Sequence, residues 1–497
     1  MAANLNLPTE LSHFLNRPVP QALLVRGAPG TGKTMLAIEL LEAFRGRRIY
    51  VSSRVRHADL DIDFPALGQM VQTGQLSVVD LTAGGADLRK ASRAVKAAPE
   101  LVANDGSSLN VRTLLLPPEV QEAWSQSSPT TPTLVVLDSW DAIVERHIGN
   151  SSRVGDALPS REELERIALA QMAEGPVFLV FVAEHREDGQ LEYLVNGIVS
   201  MERKIRDERM ERWLHLDKLR GIPVAHPSYP FSLEGGRLRC FEPFRTGLRP
   251  EAVRVDPEPG PSPGHIWPGS ADYASFFGSL PIGKLTLIEY GPDVLIAAVR
   301  LVFVPILNQV LDRGGRVFHI PHPGLQPAEV WEMYTGRTTK ETFLRQVRLL
   351  GAAANGEPNE FAPVMLPLPS AKAEGYNPRV PEAAKFLREQ SDPKSPNLGL
   401  VSIAGLKAMN SLVPGTYTED TLPGLALTYL HQSPGHEIWV GPEEDPLTRS
   451  LRSMADTRLR FLSREGRVFV HGIIPRTPCL VLTEGDGRSP YHLIPIV

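Results

Sequence analysis

Short apolar runs alternate with helical patterns through the first half of the chain. Residues 21–26, QALLVR, are apolar enough for a buried strand, and the apolar positions in residues 35–44 recur at helical spacing. Two further runs, at 133–137 and 176–185, have the composition of strands that a parallel sheet buries on both faces. This order of strands and helices predicts an α/β fold with a mostly parallel sheet.

The second half repeats this pattern of strands. Strand candidates lie at 285–289, 314–321, 398–409 and 436–441, and an apolar helix follows the first of them. A repeat at about half the chain length indicates duplication, so we expect two α/β domains of the same type. An unrelated α/β domain is the alternative, because only the pattern and the order of the strands support the repeat.

Proline marks the boundary between the two halves. Residues 246–268 contain six prolines, a density that favours extended polyproline II backbone over packed structure. We therefore predict a first domain over residues 1–245, a linker over 246–268 and a second domain over 269–497. Within the second domain, the insertion at 337–397 is rich in proline. Long insertions often carry function, so it is a candidate surface for a partner.

Composition narrows the class of protein. The 497 residues carry 52 Lys and Arg against 57 Asp and Glu, a net charge of −5, which gives no general attraction to nucleic acid or to anionic membranes. Two cysteines, Cys240 and Cys479, exclude a disulfide scaffold and a cysteine-based zinc site.

The N-terminus shows no secretory pattern, and the most apolar stretch, 294–307, is too short to cross a bilayer. We expect a soluble, cytoplasmic protein.

Residues 27–34, GAPGTGKT, match the phosphate-binding pattern G-x-x-x-x-G-K-[ST]. The motif stands between a predicted strand and a predicted helix, which is the context that its chemistry requires. Its glycines let the backbone aim N–H groups at phosphate oxygens, and the helix N-terminus adds partial positive charge. Lys33 is expected to meet the β- and γ-phosphates of ATP, and the Thr34 hydroxyl to bind Mg²⁺. The predicted ATP-binding residues are Gly27, Ala28, Pro29, Gly30, Thr31, Gly32, Lys33, Thr34 and Met35.

A phosphate loop also needs a carboxylate on a neighbouring strand to complete the magnesium shell. Asp138 ends the apolar run at 133–137 and is the candidate, acting as a Mg²⁺ ligand through water. An aspartate that only caps the next helix is the alternative. Glu184 and His185 end the next apolar run and are expected near the same edge of the sheet.

These motifs resemble those of the RecA-fold ATPases of the KaiC group. The resemblance rests on residues 27–34, on RRIYVSS (47–53), on LVVLDS (134–139) and on the end segment 216–238 with its KLRG. Within the group the chain is most similar to the family of the archaeal gas-vesicle regulator GvpD, with which it shares a P-loop very near the N-terminus and the turn at Val51–Val55. The resemblance covers residues 15–245, approximately, and implies a RecA-like ATP-binding domain.

The resemblance also implies assembly. In KaiC-like rings a Lys-x-Arg pair of one subunit reaches the γ-phosphate bound by its neighbour, and by motif that pair is Lys218 and Arg220 here. Cations from a neighbour stabilise charge on the transferring phosphoryl group. Both residues are therefore candidate catalytic groups of a homo-oligomeric ring, and a solvated basic turn is the alternative.

One departure from the family pattern bears on turnover. KaiC-type domains carry two acidic residues after the second strand, one of which activates the attacking water, and the resemblance places Arg54 and Val55 there. Glu184 is the first candidate for a substitute base. Without the acidic pair we expect slow ATP hydrolysis, and whether the chain is an effective enzyme stays open.

The second domain has lost the same chemistry. Ile296, Ala297 and Ala404 stand where alignment with the first domain would place the lysine, the threonine and the aspartate. The lysine that binds phosphate and the aspartate that binds the metal are both missing there. The second domain is therefore not expected to bind Mg-nucleotide. The expected fold is therefore two RecA-like domains, of which the second is degenerate.

One intact site, one degenerate site and a missing base favour a regulatory switch, in which the ATP state controls binding to a protein partner. The alternative is a DNA-dependent ATPase of the recombinase or recombinase-mediator class, which shares the fold and needs basic or aromatic DNA loops. The charged segment 201–213 alternates in sign and is more simply a strand pair with a charged turn. A KaiC-like autokinase, which usually needs two active sites, is a third hypothesis. Binding of nucleic acid is not favoured, and none to a membrane is expected.

Overall fold

The computed structural model divides the chain into two compact units, residues 1–242 with 496–497 and residues 243–495. Each unit is built around its own sheet and its own core. The structure describes residues 6–53, 56, 62, 64–82, 126–150, 160–172, 175–184, 190–245, 255–257, 263–322, 325–334, 338–351, 360–367, 385–388, 399–406, 418–432, 435–485 and 489–497.

Strands of the first unit form one nine-stranded sheet among the described residues. They are β1 (Gln21–Gly27), β2 (Arg47–Ser52), β3 (Ser77–Asp80), β4 (Thr133–Asp138), β5 (Val177–Ala183), β6 (Gly197–Arg206), β7 (Arg209–Leu219), β8 (Ser228–Ser232) and β9 (Arg239–Cys240). Their order is β3-β2-β4-β5-β1-β6-β7-β8-β9. Pairing is parallel from β3 to β6 and antiparallel from β6 to β9.

Helices cover both faces of this sheet. Leu23 and Val25 of β1 share a core cluster with the helix after the P-loop, whereas Ala22 and Leu24 belong to the cluster on the opposite face. This alternation follows from the two-residue period of a strand. The helical segments are α1 (Thr9–Leu15), α2 (Lys33–Ala43), α3 (Pro65–Gln72), α4 (Trp140–Asn150), α5 (Arg161–Met172), α6 (Leu191–Leu194) and a 3₁₀ turn at Glu234–Gly236.

Strands β6 and β7 form a hairpin that extends beyond the parallel part of the sheet. Asp207 and Glu208 make its turn with φ angles of 49° and 59°, the left-handed backbone that tight hairpin turns require. Arg206 pairs with Arg209 directly across that turn. The prediction of a strand pair with a charged turn for residues 201–213 is confirmed.

A larger and a smaller sheet make up the second unit in its described part. The strands are β10 (His265–Ile266), β11 (Leu280–Pro281), β12 (Leu285–Tyr290), β13 (Arg316–Ile320), β14 (Val347–Gly351), β15 (Met365–Pro367), β16 (Gly399–Ile403), β17 (Gly435–Pro442), β18 (Thr457–Arg464), β19 (Arg467–Ile474), β20 (Cys479–Glu484) and β21 (Tyr491–Pro495). β10 pairs with β11, and the larger sheet has the order β15-β14-β13-β16-β17-β12-β18-β19-β20-β21.

Most of the helical segments of the second unit pack into its core clusters. The apolar stretch 294–307 largely forms its longest described helix, which is buried against the sheet. In the part of the chain that the structure describes, no helix combines the length and the apolar character needed to cross a membrane. The helical segments are α7 (Ala271–Phe277), α8 (Ile296–Asp312), α9 (Pro327–Glu332), α10 (Lys340–Gln346), α11 (Thr421–Gln432), α12 (Pro446–Ser450) and a 3₁₀ turn at Ala362–Val364.

The two larger sheets correspond strand by strand. The order β14-β13-β16-β17-β12-β18-β19 repeats the order β3-β2-β4-β5-β1-β6-β7. The central strand is followed by a loop of equal length in both units, residues 28–32 before α2 and residues 291–295 before α8. The prediction of two RecA-like α/β domains, the second of them degenerate, is thus confirmed.

Strand register shows which residues of the second unit replace those of the phosphate site. Arg47 of β2 and Arg316 of β13 each pair with the first residue of the next strand in the sheet. When residues are counted from those two pairs, Ala404 has the same position as Asp138. Asp138 is the last residue of β4, whereas Ala404 comes directly after β16. Ile296 begins α8 just as the motif lysine begins α2.

Part of the proline-rich segment packs within the second unit. Residues His265 and Ile266 pair with β11, and the buried indole of Trp267 donates a hydrogen bond to the carbonyl oxygen of Asp256 at 3.0 Å. This differs from the extended, unpacked backbone that the proline density predicts. The reason is local, since these residues are not prolines and can therefore pair or pack.

Candidate functional site

The P-loop occupies the five residues between β1 and α2. Gly32 caps α2 with φ 101°, a conformation that residues with a side chain rarely adopt. At Gly27 a Cβ atom would lie 2.4 Å from the carbonyl oxygen of Met201, so only glycine fits against β6. The motif glycines therefore allow both the sharp turn and the close approach of the neighbouring strand.

Lys33, the first residue of α2, is held inside the loop. Its Nζ donates hydrogen bonds to the carbonyl oxygens of Gly27 at 2.6 Å and Ala28 at 3.0 Å. Only 8% of Lys33 is exposed. The backbone thus fixes the ammonium group at the centre of the loop, where it meets any anion that the loop binds.

Thr34 and Asp138 meet at the carboxyl edge of the sheet. The Thr34 hydroxyl donates to Oδ2 of Asp138 at 2.8 Å, although 104 positions separate the two residues. Asp138 is the last residue of β4 and pairs in register with Ser52. The sheet order therefore brings the carboxylate beside the start of α2.

Tyr50 is a member of the site that the sequence analysis missed. Its hydroxyl donates to the same Oδ2 of Asp138 at 2.9 Å. Burial raises the pKa of Tyr50 well above its ordinary value, and the charge of Asp138 raises it further, so the phenol stays protonated and remains a donor. The only signal in the sequence is a tyrosine inside an otherwise apolar strand.

The end of β4 is also bound to the end of β2. The Ser53 N–H donates to the carbonyl oxygen of Asp138 at 2.7 Å, and the Ser139 N–H donates to Oγ of Ser53 at 2.9 Å. These two bonds hold the backbone on either side of the carboxylate. Arg54 and Val55, the predicted replacements of the acidic pair, lie outside the described residues.

The oxygen atoms at this edge fit a magnesium ion. Mg²⁺ keeps several waters and typically takes one or two protein oxygens together with phosphate oxygens. Thr34 and Asp138 supply such a pair, already in contact. No cluster of three or more histidine, cysteine or acidic side chains suited to a metal occurs among the described residues.

Glu184 follows β5 at the same carboxyl edge. Its backbone N–H donates to Oδ2 of Asp141 at 2.7 Å, and the other oxygen of Asp141 binds Arg161 at 2.9 Å. The sheet thus places Glu184 near the strand end that carries Asp138. His185 lies outside the described residues.

Lys218 and Arg220 lie toward the opposite edge of the sheet from their own P-loop. Lys218 pairs in register with Ile198, near the middle of the sheet, and its Nζ donates to the carbonyl oxygen of Glu192 at 3.0 Å. Burial and the nearby charge of Arg220 lower the pKa of Lys218. Arg220 bonds through its backbone N–H to Asn196, beyond the start of β6. The structure does not bring this pair to the P-loop of the same chain.

The β6–β7 hairpin makes a further contact that the sequence analysis missed. Arg212 of β7 donates from Nη1 to the carbonyl oxygen of Gly30 at 2.9 Å, although 182 positions separate them. No motif in the sequence marks this arginine. The P-loop is thus bordered by a cation that belongs to the same unit.

Comparison with known proteins agrees with this geometry. Residues 11–217 match the family model of the P-loop domain of GvpD gas vesicle protein. The chain is 28% identical to protein GvpD2 of Halobacterium salinarum over 337 residues, and 29% identical to protein GvpD1 of the same organism over 339 residues. Each match covers 64% of this chain and spans only 63% and 57% of the respective relative.

The match begins before β1 and ends within β7, so it contains the P-loop, Asp138 and Glu184. A P-loop domain of this type implies binding of a nucleotide in general. With its P-loop, its parallel sheet and these similarities, the first unit contains a P-loop domain similar to that of GvpD.

Proposed function

We propose that the chain is an ATP-binding regulatory P-loop ATPase of the KaiC/GvpD type, whose nucleotide state controls its interaction with another protein. The contact of Thr34 with Asp138, beside a lysine held in the loop, carries this proposal. The same positions in the second unit hold Ile296, Ala297 and Ala404, which offer neither a cation nor a metal ligand. One nucleotide per chain is therefore expected.

Each site residue has a separate task in the proposed complex. Lys33 would exchange its two carbonyl partners for phosphate oxygens, since a buried ammonium group favours an anion over neutral dipoles. Thr34 and Asp138 would hold Mg²⁺, which when bound neutralises charge on the phosphates. Tyr50 keeps the Asp138 carboxylate oriented through its hydrogen bond.

Slow turnover is part of the proposal. Glu184 is the proposed base for the attacking water, because it follows β5 at the edge that holds Asp138. Arg54 and Val55 stand where related ATPases carry their acidic pair. A long-lived ATP state suits a switch, since the partner then has time to bind before hydrolysis.

We further propose that Lys218 and Arg220 act on ATP bound by a neighbouring copy in a ring. Their position toward the opposite edge of the sheet from their own P-loop supports this arrangement. The regulatory target is proposed to be a protein, in a role of the gas-vesicle type that the similar proteins' names suggest. The two cysteines, Cys240 and Cys479, are buried, and this suits the reducing cytoplasm as the proposed location.

Calorimetric titration with ATP and Mg²⁺ tests the site directly. Wild-type protein is expected to bind one ATP per chain, and Lys33→Ala none, because the loop loses its only lysine. Lys284→Ala is the matched control, since this half-exposed lysine pairs with Asp456 in the second unit. Two ATP per wild-type chain would contradict a degenerate second domain.

Hydrolysis measurements separate the proposed switch from the alternative class. Turnover without a partner is expected well below the enzyme median of about 10 s⁻¹, and single-stranded DNA is expected to leave it unchanged. Tens of turnovers per second would remove the main support for a switch. Strong stimulation by DNA would favour the recombinase or recombinase-mediator class instead.

A further inference from the structure

Two arginines face each other across the β6–β7 hairpin. Arg203 of β6 is the register partner of Arg212 of β7. Like charges directly opposite on neighbouring strands are destabilising, so this pair has a cost within the free fold. A negatively charged group that lies between or beside the two arginines would offset the repulsion between them.

The hairpin places the pair on the P-loop side of the sheet. Met201 pairs with Gly27 of β1 and, with Leu214 across from it, belongs to the core cluster that contains α2. Successive residues of a strand alternate between faces. Arg203 and Arg212 therefore share that face, two positions beyond Met201 and past the end of β1.

Both guanidinium groups lie against the middle of the P-loop. Arg212 donates from Nη1 to the carbonyl oxygen of Gly30 at 2.9 Å and from Nε to a main-chain oxygen of Val497 at 2.6 Å, within the same unit. A Cβ atom built on Gly30 would lie 3.7 Å from Nη1 of Arg203. The two side chains thus approach the loop from one direction.

Neither guanidinium is neutralised by an acidic side chain in the described part of the chain. Arg212 is only 8% exposed, and burial together with the charge of Arg203 lowers its pKa. Other arginines of this unit, Arg26 and Arg237, each bind two carboxylates. A bound anion beside this pair would stabilise the charge of the buried Arg212 guanidinium group and that of Arg203.

We infer that Arg203 and Arg212 form a phosphate-binding pair that contacts the terminal phosphate of the nucleotide bound by the same chain. The inference rests on the proposed function, since it needs a nucleotide in the loop. The loop N–H groups cradle the α- and β-phosphates, so cations on the outer side of the loop meet the next phosphate. Guanidinium groups suit this task because their planar N–H forks match phosphate oxygens.

The pair gives one chain the means to distinguish ATP from ADP without a neighbour. A terminal phosphate would bring negative charge between the two guanidinium groups and relieve their mutual repulsion. ADP offers no such group at that position. The loop and Lys33 alone would then hold ADP, whereas ATP would gain the two arginine contacts.

The test compares the affinities of ATP and ADP, each with Mg²⁺, by calorimetry on full-length variants. Arg203→Gln removes one exposed guanidinium and is expected to weaken ATP binding about tenfold, as loss of a charge-assisted hydrogen bond does. ADP binding is expected to stay within about twofold of wild type. Arg206→Gln is the matched control, since this exposed arginine lies at the tip of the same hairpin on the other face.

Arg212→Lys is the second variant, because it keeps the charge and the fold while losing the planar fork. It is expected to weaken ATP binding more than ADP binding, with an unfolding midpoint near that of wild type. Equal losses for ATP and ADP, or no loss in Arg203→Gln, would overturn the inference while leaving the proposed function intact. A wild-type protein that binds neither nucleotide would overturn both.

Discussion

At the scale of single residues, one carboxylate oxygen of Asp138 connects side chains from two other elements of the site. Oδ2 accepts from the hydroxyls of Thr34 and Tyr50, at 2.8 and 2.9 Å. A bound metal would compete with the threonine, which is itself a proposed ligand. Tyr50 is not a proposed ligand, so its bond to the carboxylate is expected to remain when a metal binds.

Removing that tyrosine hydroxyl gives a prediction at this scale. Tyr50→Phe is expected to lower the free energy of unfolding by about 1 kcal/mol, the usual net value of one hydrogen bond. In a unit of this size the thermal midpoint would fall by about 2–4 °C, measurable by scanning calorimetry. The cause is a buried carboxylate oxygen that loses one of its hydrogen-bond donors.

Tyr334→Phe is the matched control for this prediction. Tyr334 is as fully buried as Tyr50, and its hydroxyl has no hydrogen-bond partner among the described residues. Deleting an unpaired buried hydroxyl is expected to leave stability unchanged or slightly raised. Equal destabilisation of both variants would show that the loss at Tyr50 is one of packing, not of the bond to Asp138.

At the scale of elements, the same strand has acquired different chemistry in the two units. β17 corresponds to β5, and by register Glu437 stands where β5 has Leu179. Glu437 is fully buried, and its Oε2 accepts from the indole N–H of Trp439 at 2.7 Å. Its other oxygen has no hydrogen-bond partner in the described structure. Burial raises the pKa of this carboxyl from 4.5 to about 8.

The raised pKa predicts how the stability of the second unit depends on pH. The folded state holds the Glu437 proton more tightly than the unfolded state, whose pKa is near 4.5. The stability from the protonated carboxyl is therefore complete below pH 4.5 and is lost as the pH rises toward about 8. Glu437→Gln is expected to remove this slope, as measured by denaturant unfolding at several pH values.

A control variant at an exposed carboxylate isolates the buried group. Glu360 is largely exposed and pairs with Lys340, so Glu360→Gln is expected to keep the wild-type slope between pH 5 and 8, roughly the interval where the buried carboxyl titrates. A slope that persists in Glu437→Gln would assign it to other groups. The site in the first unit is not involved in either variant.

At the scale of the whole molecule, the first unit presents different cations at the two ends of its sheet. Lys33 and the Arg203–Arg212 pair lie at the carboxyl edge with the P-loop. Lys218 and Arg220 lie toward the amino edge. The first set can act within one chain, whereas the second is proposed to act on a nucleotide that another copy binds.

Mixing two inactive variants tests action between subunits. Lys33→Ala chains keep Arg220 but bind no ATP, and Arg220→Ala chains bind ATP but lack the arginine. A mixture is expected to recover part of the hydrolysis, since intact sites can then face an intact arginine in a ring. Nucleotide would also favour the assembled form by linkage.

Lys33→Ala mixed with Asp138→Asn is the matched negative control. Neither chain of that mixture contains a complete site, so no recovery is expected from it. If the first mixture also fails to recover and the wild-type protein keeps a monomeric mass at saturating ATP, the ring is excluded. Arg220 would then be an ordinary surface residue.

Local pattern in the chain was sufficient for a large part of this structure. The P-loop, the buried strand that ends in Asp138 and the repeat of the α/β order are all visible within short windows. Ala404, at the register position of Asp138, was identified in the same way from strand order. These features depend on neighbours close in sequence, where strand and helix periods and the conformational freedom of glycine are directly visible.

The contacts of Tyr50, Arg203 and Arg212 became visible only in the folded sheet. Tyr50 meets Asp138 across 88 positions, and Arg212 meets Gly30 across 182. Such contacts depend on the order of strands and on register, because a shift of one residue turns every side chain to the other face. Periodicity identifies a strand but not its neighbour, so the partners of a residue follow from how the whole sheet assembles.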